Sequence, residues 1–265
     1  MRILYDNAAD RATITVTDAA PTMGPEYLQT DDKGEACRIL APAGTITLAW
    51  VDPEAIAAVV LPASNLSASS IIRVQAYLAG QLVHDTGERD AAPGPMLANW
   101  GFRQRINMNQ FGDMPPITAV YLPFVECDRI DILLEDPHRT YLDISRVVCG
   151  SYIEPQYGAS YGAAPGILDM TTNSRSAAGS LRSDMGPRAN TLTFDLGAIA
   201  ERDRHLVMDV VRLGIGKNIF ISLLPENADP LKEQAYMIYG KQSQSGAMAY
   251  VTYGLHQTSF QIDGW

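Results

Sequence analysis

Cysteine is scarce: only Cys37, Cys127 and Cys149 occur in 265 residues. An odd count at such wide spacing excludes a disulfide-rich scaffold and any CxxC metal knuckle. Cys127 and Cys149 sit in apolar, strand-like runs, where a free thiol behaves as a small hydrophobe. Buried free thiols and folding in a reducing compartment are therefore expected. Long apolar runs are missing too. None approaches the roughly 20 residues that a membrane helix needs. Met1-Arg-Ile-Leu-Tyr-Asp6 turns polar at once, so no signal peptide is expected. Positive charge is short as well. Twenty Lys and Arg face thirty Asp and Glu, a formal net charge of −10. That balance argues against duplex nucleic acid as a partner, which calls for a basic face, and against docking on anionic membrane. It suits solubility or a basic partner.

Catalytic signatures are also missing. Gly214-Ile-Gly216-Lys217-Asn218 has the look of a phosphate loop. Yet Val211 stands where the first Gly belongs and Asn218 where Ser or Thr belongs. A helix pattern precedes the glycines instead of following them. His84, His138, His205 and His256 are scattered, with no zinc spacing. No Gly-x-Ser-x-Gly elbow occurs. Glu135 and Asp136, or Asp128 and Asp131, could in principle pair for acid–base work. Strand neighbours point to opposite faces, however, and a solvated turn or polar face is the simpler reading. The expectation is no enzyme, no cofactor and no metal.

What is present is β pattern. Gly and Pro fall between short apolar runs, which points to a mainly β fold. The central stretch is Thr45 to Tyr77. Thr45–Trp50 alternates, Ala55–Leu61 is almost wholly apolar, and Ile71–Tyr77 alternates again. Three strands are expected, with breaks at Asp52-Pro53 and Pro62–Ser67. The middle strand should be buried on both faces. Further strands are expected at Ile3–Tyr5, Ala12–Thr17, Leu82–Asp85, Val120–Val125 (an edge strand, because of Pro123), Asp128–Leu134 and Tyr141–Cys149. Two long polar loops, Asp18–Glu35 and Asp90–Asp113, interrupt them.

Residues 1–150 read as one β-sandwich domain and 151–166 as a Gly/Pro/Tyr-rich linker. Residues 167–265 read as a second, small β-sandwich or barrel with one packed helix, about 198–213. The apolar face of that helix would be Ile199, Leu206, Val210 and Leu213, with Gly214 as its stop. The candidate ligand or interface loop carries Trp100, Phe102 and Arg103, since loop aromatics stack on sugars or anchor interfaces. Trp265 is the candidate assembly contact, as a terminal Trp on an untethered tail needs a partner to order it.

Thr45–Trp50, Ile56–Leu61, Ser64-Asn65-Leu66-Ser67 and Ile72–Tyr77 resemble a galactose-binding-like jelly-roll domain. Ile130–Leu134 and Tyr141–Ile144, with Arg146 and Gly150, resemble its closing strands. A jelly roll of this form, followed by a Gly/Pro linker and a helix-bearing β domain, resembles tail-tip or baseplate structural proteins of tailed bacteriophages. Its second domain is similar to tail-tube and distal-tail units. The resemblance implies a non-enzymatic virion component made in the host cytoplasm. Its partners would be other tail proteins, fibres and copies of itself, with a host surface glycan as a further partner. The rival expectations are a receptor- or carbohydrate-binding module and, behind it, a glycan hydrolase.

Overall fold

The computed structural model describes residues 1–92, 116–244 and 246–265. In chain order the first half contains β1 (Arg2–Leu4), β2 (Thr13–Val16), β3 (Cys37–Ile39), β4 (Ala43–Leu61) and β5 (Ile71–Leu78). It continues with β6 (Gln81–Asp85), β7 (Arg89–Asp90), β8 (Thr118–Glu135), β9 (Leu142–Ile144) and β10 (Val148–Gly150). The second half contains β11 (Ala164–Asp169), β12 (Thr172–Arg175), β13 (Leu181–Asp184), β14 (Arg188–Ala200), α1 (Arg204–Leu213) and β15 (Ile219–Ser222). It ends with α2 (Pro230–Ala235), β16 (Met237–Gln242), β17 (Ala249–Thr252) and β18 (Leu255–Gly264). The protein is mainly β, and its first half is a jelly-roll β-sandwich.

Two long antiparallel strands, β4 and β8, form the spine of that sandwich. The first half of β4 pairs with β2 and the second half with β10; the second half of β8 pairs with β5. Asp52-Pro53 does not end the strand, as the sequence suggests, but bulges it. Ala49 faces Arg129 and Glu54 faces Cys127, so Trp50–Pro53 lie opposite Asp128 alone. Pro53 has no N–H to donate, and a bulge is where a strand tolerates that. Pro123 lies at a second register shift, between Ile56↔Val125 and Ala58↔Tyr121. Among the described residues Val120–Tyr121 pair only with β4, which is the edge position Pro123 implies.

Ile46, Leu48 and Trp50 alternate into the sandwich core, joined by Val74, Ile130, Ile132 and Ile144. Ala55–Leu61 is buried on both faces from Ile56 onward. Ile56, Val59 and Leu61 join the sandwich core. Ala58 and Val60 point the other way, onto Leu4, Tyr121, Phe220, Met237 and Tyr239. The second face is thus covered by the other half of the molecule.

That other half is a sheet in the order β1-β15-β16-β18-β14-β11, with β17 also on β18. The expected boundaries need correcting in two places. Arg2–Leu4 pairs with Phe220–Ser222, so the first strand belongs to the C-terminal sheet and not to a 1–150 domain. The 151–166 segment is pinned along its length. Ile153 bridges Ile3, Gln156 N donates to Asp203 Oδ2 at 2.8 Å, and Ser160 N donates to Asp195 O at 2.8 Å. Its last residues, Ala164–Gly166, already belong to β11.

The helix expected over 198–213 begins later. Ile199 and Ala200 pair with His256 and Leu255, because the long β18 offers a ladder that outcompetes the helix start. A 3-10 turn, Glu201–Asp203, leads into α1. The buried face is Val207, Val210 and Val211; Leu213 is exposed. A second helix, α2, stands where one helix in all was expected. Its signal was Asp229-Pro230: the Asp229 side chain accepts from Leu231 N and Lys232 N, and Pro sits in the first turn.

Candidate interaction site

Several titratable side chains are engaged in holding the fold. Asp136 is fully buried and accepts from Ser67 N at 2.7 Å, Ser67 Oγ at 2.9 Å and His138 N at 3.0 Å. Its neighbour Glu135 is exposed, so the two carboxylates diverge as strand geometry requires. Asp128 accepts from Ala79 N, and Asp131 from Thr47 Oγ1. His205 is exposed on α1. His256 is buried, with Nε2 2.7 Å from Glu201 Oε2. That hydrogen bond holds the Glu201 carboxyl below its ordinary range.

Among the described residues no three His, Cys, Asp or Glu gather as a metal set. Gly214–Asn218 is the exit of α1, with Gly214 N donating to Val210 O and Lys217 N to Leu213 O. All three cysteines are buried free thiols. Burial pushes Cys37 up to about 11 and Cys127 up to about 12, and raises Cys149 further. Thiolate is the reactive form, so these thiols are inert in the folded chain.

Trp100, Phe102 and Arg103 lie outside the described residues. Trp265 is described, and its tail is tethered, contrary to the expectation. β18 carries it to the seam between the halves. There its N donates to Tyr239 O at 2.9 Å and its Nε1 to Asp31 O at 2.6 Å. Its ring stands edge-on to Tyr239, centroids 5.5 Å apart. Lys33 Nζ donates to Trp265 O at 3.0 Å. Within one chain Trp265 is therefore an internal clasp.

The 25–35 segment it grips is part of the expected Asp18–Glu35 loop. Leu28 of that segment is fully buried, and the buried Arg146 guanidinium donates to Gln29 O, faces Asp31 at 3.1 Å and pairs with Asp10. This hub is not legible in the sequence, where a lone Arg beside an apolar run is its only signal.

The segment best placed for interaction is 164–188. No residue in it is buried. It contains the edge strand β11 and the hairpin of β12 and β13, whose register runs from Thr172↔Asp184 to Arg175↔Leu181. Ser176 N donates to Ser180 O, and Gly179, at φ +80°, takes the turn conformation that a side chain resists. At the base Met170 N donates to Pro187 O. β12 and β13 pair only with one another among the described residues. Along this segment Ile167, Leu168, Met170, Leu181 and Met185 are exposed by between 41 and 78%.

A lone two-stranded hairpin is marginal in water. Ordering its backbone costs roughly 1–2 kcal/mol per residue, on the order of 10–25 kcal/mol over residues 172–184, and no burial offsets that here. Polar strands with apolar residues at their base, projecting from a sheet edge, can pair with another chain.

No protein-family model matches the chain, and no curated protein matches it. Solved structures do resemble part of it. The lectin domain of lectinolysin complexed with Lewis B antigen is 13% identical, with a TM-score of 0.40, over 55% of this chain and 97% of that one. A Streptococcus pneumoniae fucose binding module is 9% identical, with a TM-score of 0.39, over 56% of this chain and 99% of that one. The family 32 carbohydrate-binding module from C. perfringens NanJ, in complex with galactose, is 8% identical, with a TM-score of 0.40, over 58% of this chain and 100% of that one.

Proposed function

We propose that the chain is a non-enzymatic structural subunit of a multi-copy assembly, and that the assembly is the tail tip or baseplate of a bacteriophage virion. The observation that carries the assembly reading is the 164–188 segment: ordered strands without one buried residue. The structural engagement of Asp136, Asp128 and Asp131 and the burial of the three cysteines support a role without catalysis. The virion reading comes from the resemblance of the two halves to tail-tip proteins, and its partners would be neighbouring tail proteins and further copies of this chain. The test is the mass of the purified chain across a concentration series. Discrete oligomers that grow with concentration support the reading. A monomer at every concentration overturns it.

A second reading is glycan binding by the jelly-roll half. The solved structures named above are a lectin domain, a fucose binding module and a carbohydrate-binding module. At their TM-scores the likeness is one of fold. A glycan array on the intact chain tests it, with Trp100→Ala as the control, since Trp100 is the aromatic that the sequence offers for stacking on a sugar.

A further inference from the structure

We infer that the hairpin of one copy seats on the free outer edge of β17 in the next copy, so that copies join head to tail. This rests on the assembly reading above and names the acceptor.

The topology sets donor and acceptor on opposite sides of one sheet. β14 and β18 lie side by side. β11, from which the hairpin leaves, flanks β14; β17 flanks β18 on its other side. Among the described residues β17 pairs only with β18, so its outer N–H and C=O groups face away from the sheet. Every residue of β17 is exposed. Tyr250 and Val251 are 61% and 53% exposed, and Tyr253 in the following turn is fully open. Exposed β-branched and aromatic residues on a bare edge strand form a template for an added strand.

Charge selects another copy as the occupant. Residues 172–184 carry Arg175 and Arg182 against Asp184, a net of +1. The whole chain carries −10. A basic element on an acidic chain is attracted to a second acidic copy. Glu201 stands beside the acceptor, bonded to His256, whose ring lies 5.1 Å from that of Tyr250. The exposed Ile167, Leu168, Met170 and Met185 at the hairpin base supply apolar area to bury next to the new strand pair. Because donor and acceptor are different patches, the contact is heterologous. It closes into a ring if the rotation allows and otherwise extends as a helical array.

The experiment uses the full chain. One version carries Ser174→Cys on β12 and another Val251→Cys on β17; the native thiols are buried. The two are mixed and treated with a short bis-maleimide. A covalent pair that forms only in the mixture, together with at least about a tenfold weaker assembly for Val251→Lys, is the expected result; tenfold corresponds to about 1.4 kcal/mol. An unchanged melting temperature for Val251→Lys ties that loss to the edge and not to unfolding. If oligomers persist while the pair fails to form and Val251→Lys assembles normally, the acceptor lies elsewhere; this inference falls and the assembly reading stands. If the unmodified chain is a monomer throughout, both fall.

Discussion

Phe220→Ala should loosen the half of the molecule that does not contain Phe220. Phe220 is 1% exposed and packs in the seam with Leu4, Ala58, Val60, Tyr121, Met237 and Tyr239. Ala58 and Val60 belong to β4, and β10 lies against them: Gly150 faces Ala58 and Val148 faces Val60. Between those two sits Cys149, a fully buried thiol opposite Val59; both pack on the sandwich side of β4, the face turned away from the seam. Truncating a core Phe to Ala costs about 3–5 kcal/mol when the site cannot collapse. The seam is lined by β-strand backbone on both sides, so little relaxation is available. With tenfold per 1.4 kcal/mol, the population of opened seam should rise by roughly 100- to 3,000-fold. Thiol labelling at Cys149, read by mass spectrometry under native conditions, reports whether that opening spreads through β10 into the sandwich core. Cys37, on β3, which contributes no residue to the seam, should accelerate by a smaller factor. Unchanged Cys149 labelling in a chain whose C-terminal sheet is demonstrably destabilised would refute the shared core and leave two independent domains.

Other consequences are simpler to read. The Arg73 guanidinium, with help from Gln75 and Gly87 N, holds the Asp85 carboxyl well below the usual carboxylate range. A depressed folded pKa gives stability that is fully present above the unfolded value near 3.9 and is lost progressively as pH falls from there through the folded value. Asp85→Asn should therefore cost about 1 kcal/mol or less at pH 7, given how open the pair is to solvent, and distinctly less at pH 2. Equal costs at both pH values would contradict the assignment. The native chain should leave a thiol reagent uncoloured at pH 8.5 and titrate three thiols in denaturant. A fast thiol before unfolding would be the opposing result. Gly150 sits at φ +156° with Asp6 O only 2.6 Å from where a Cβ would stand, so Gly150→Ala should lower stability by at least about 2 kcal/mol in thermal melts. A melting temperature within a degree of the parent would show that the crossing of the N-terminal segment over β10 is looser than described.

Much of the sandwich was legible because its period is two. Ile46, Leu48 and Trp50 announce one buried face, and the unbroken Ala55–Leu61 announces two. What was illegible is what periodicity does not encode. Pro53 reads as a strand end, yet a bulge absorbs it, and only the pairing with β8 shows that. Ile3-Leu4 reads as the first strand of the first domain, because nothing local says that its ladder partner is Phe220-Ile221, over two hundred residues away. Ile199 fits a helical face as well as a strand face, and the decision belongs to the distant His256. Trp265 looked loose because its anchors, Asp31, Lys33 and Tyr239, are all remote in sequence. The hairpin at 172–184 was silent for the opposite reason. Its strands are polar and carry no apolar alternation, since both faces are open in the single chain.

Hydrogen exchange across residues 170–187, followed from dilute to concentrated protein, tests most directly whether a partner orders the hairpin. Exchange should be fast in the dilute monomer, and protection of the β12 and β13 amides should rise together with oligomer mass. Exchange at one rate across the series, while the mass rises, would contradict it.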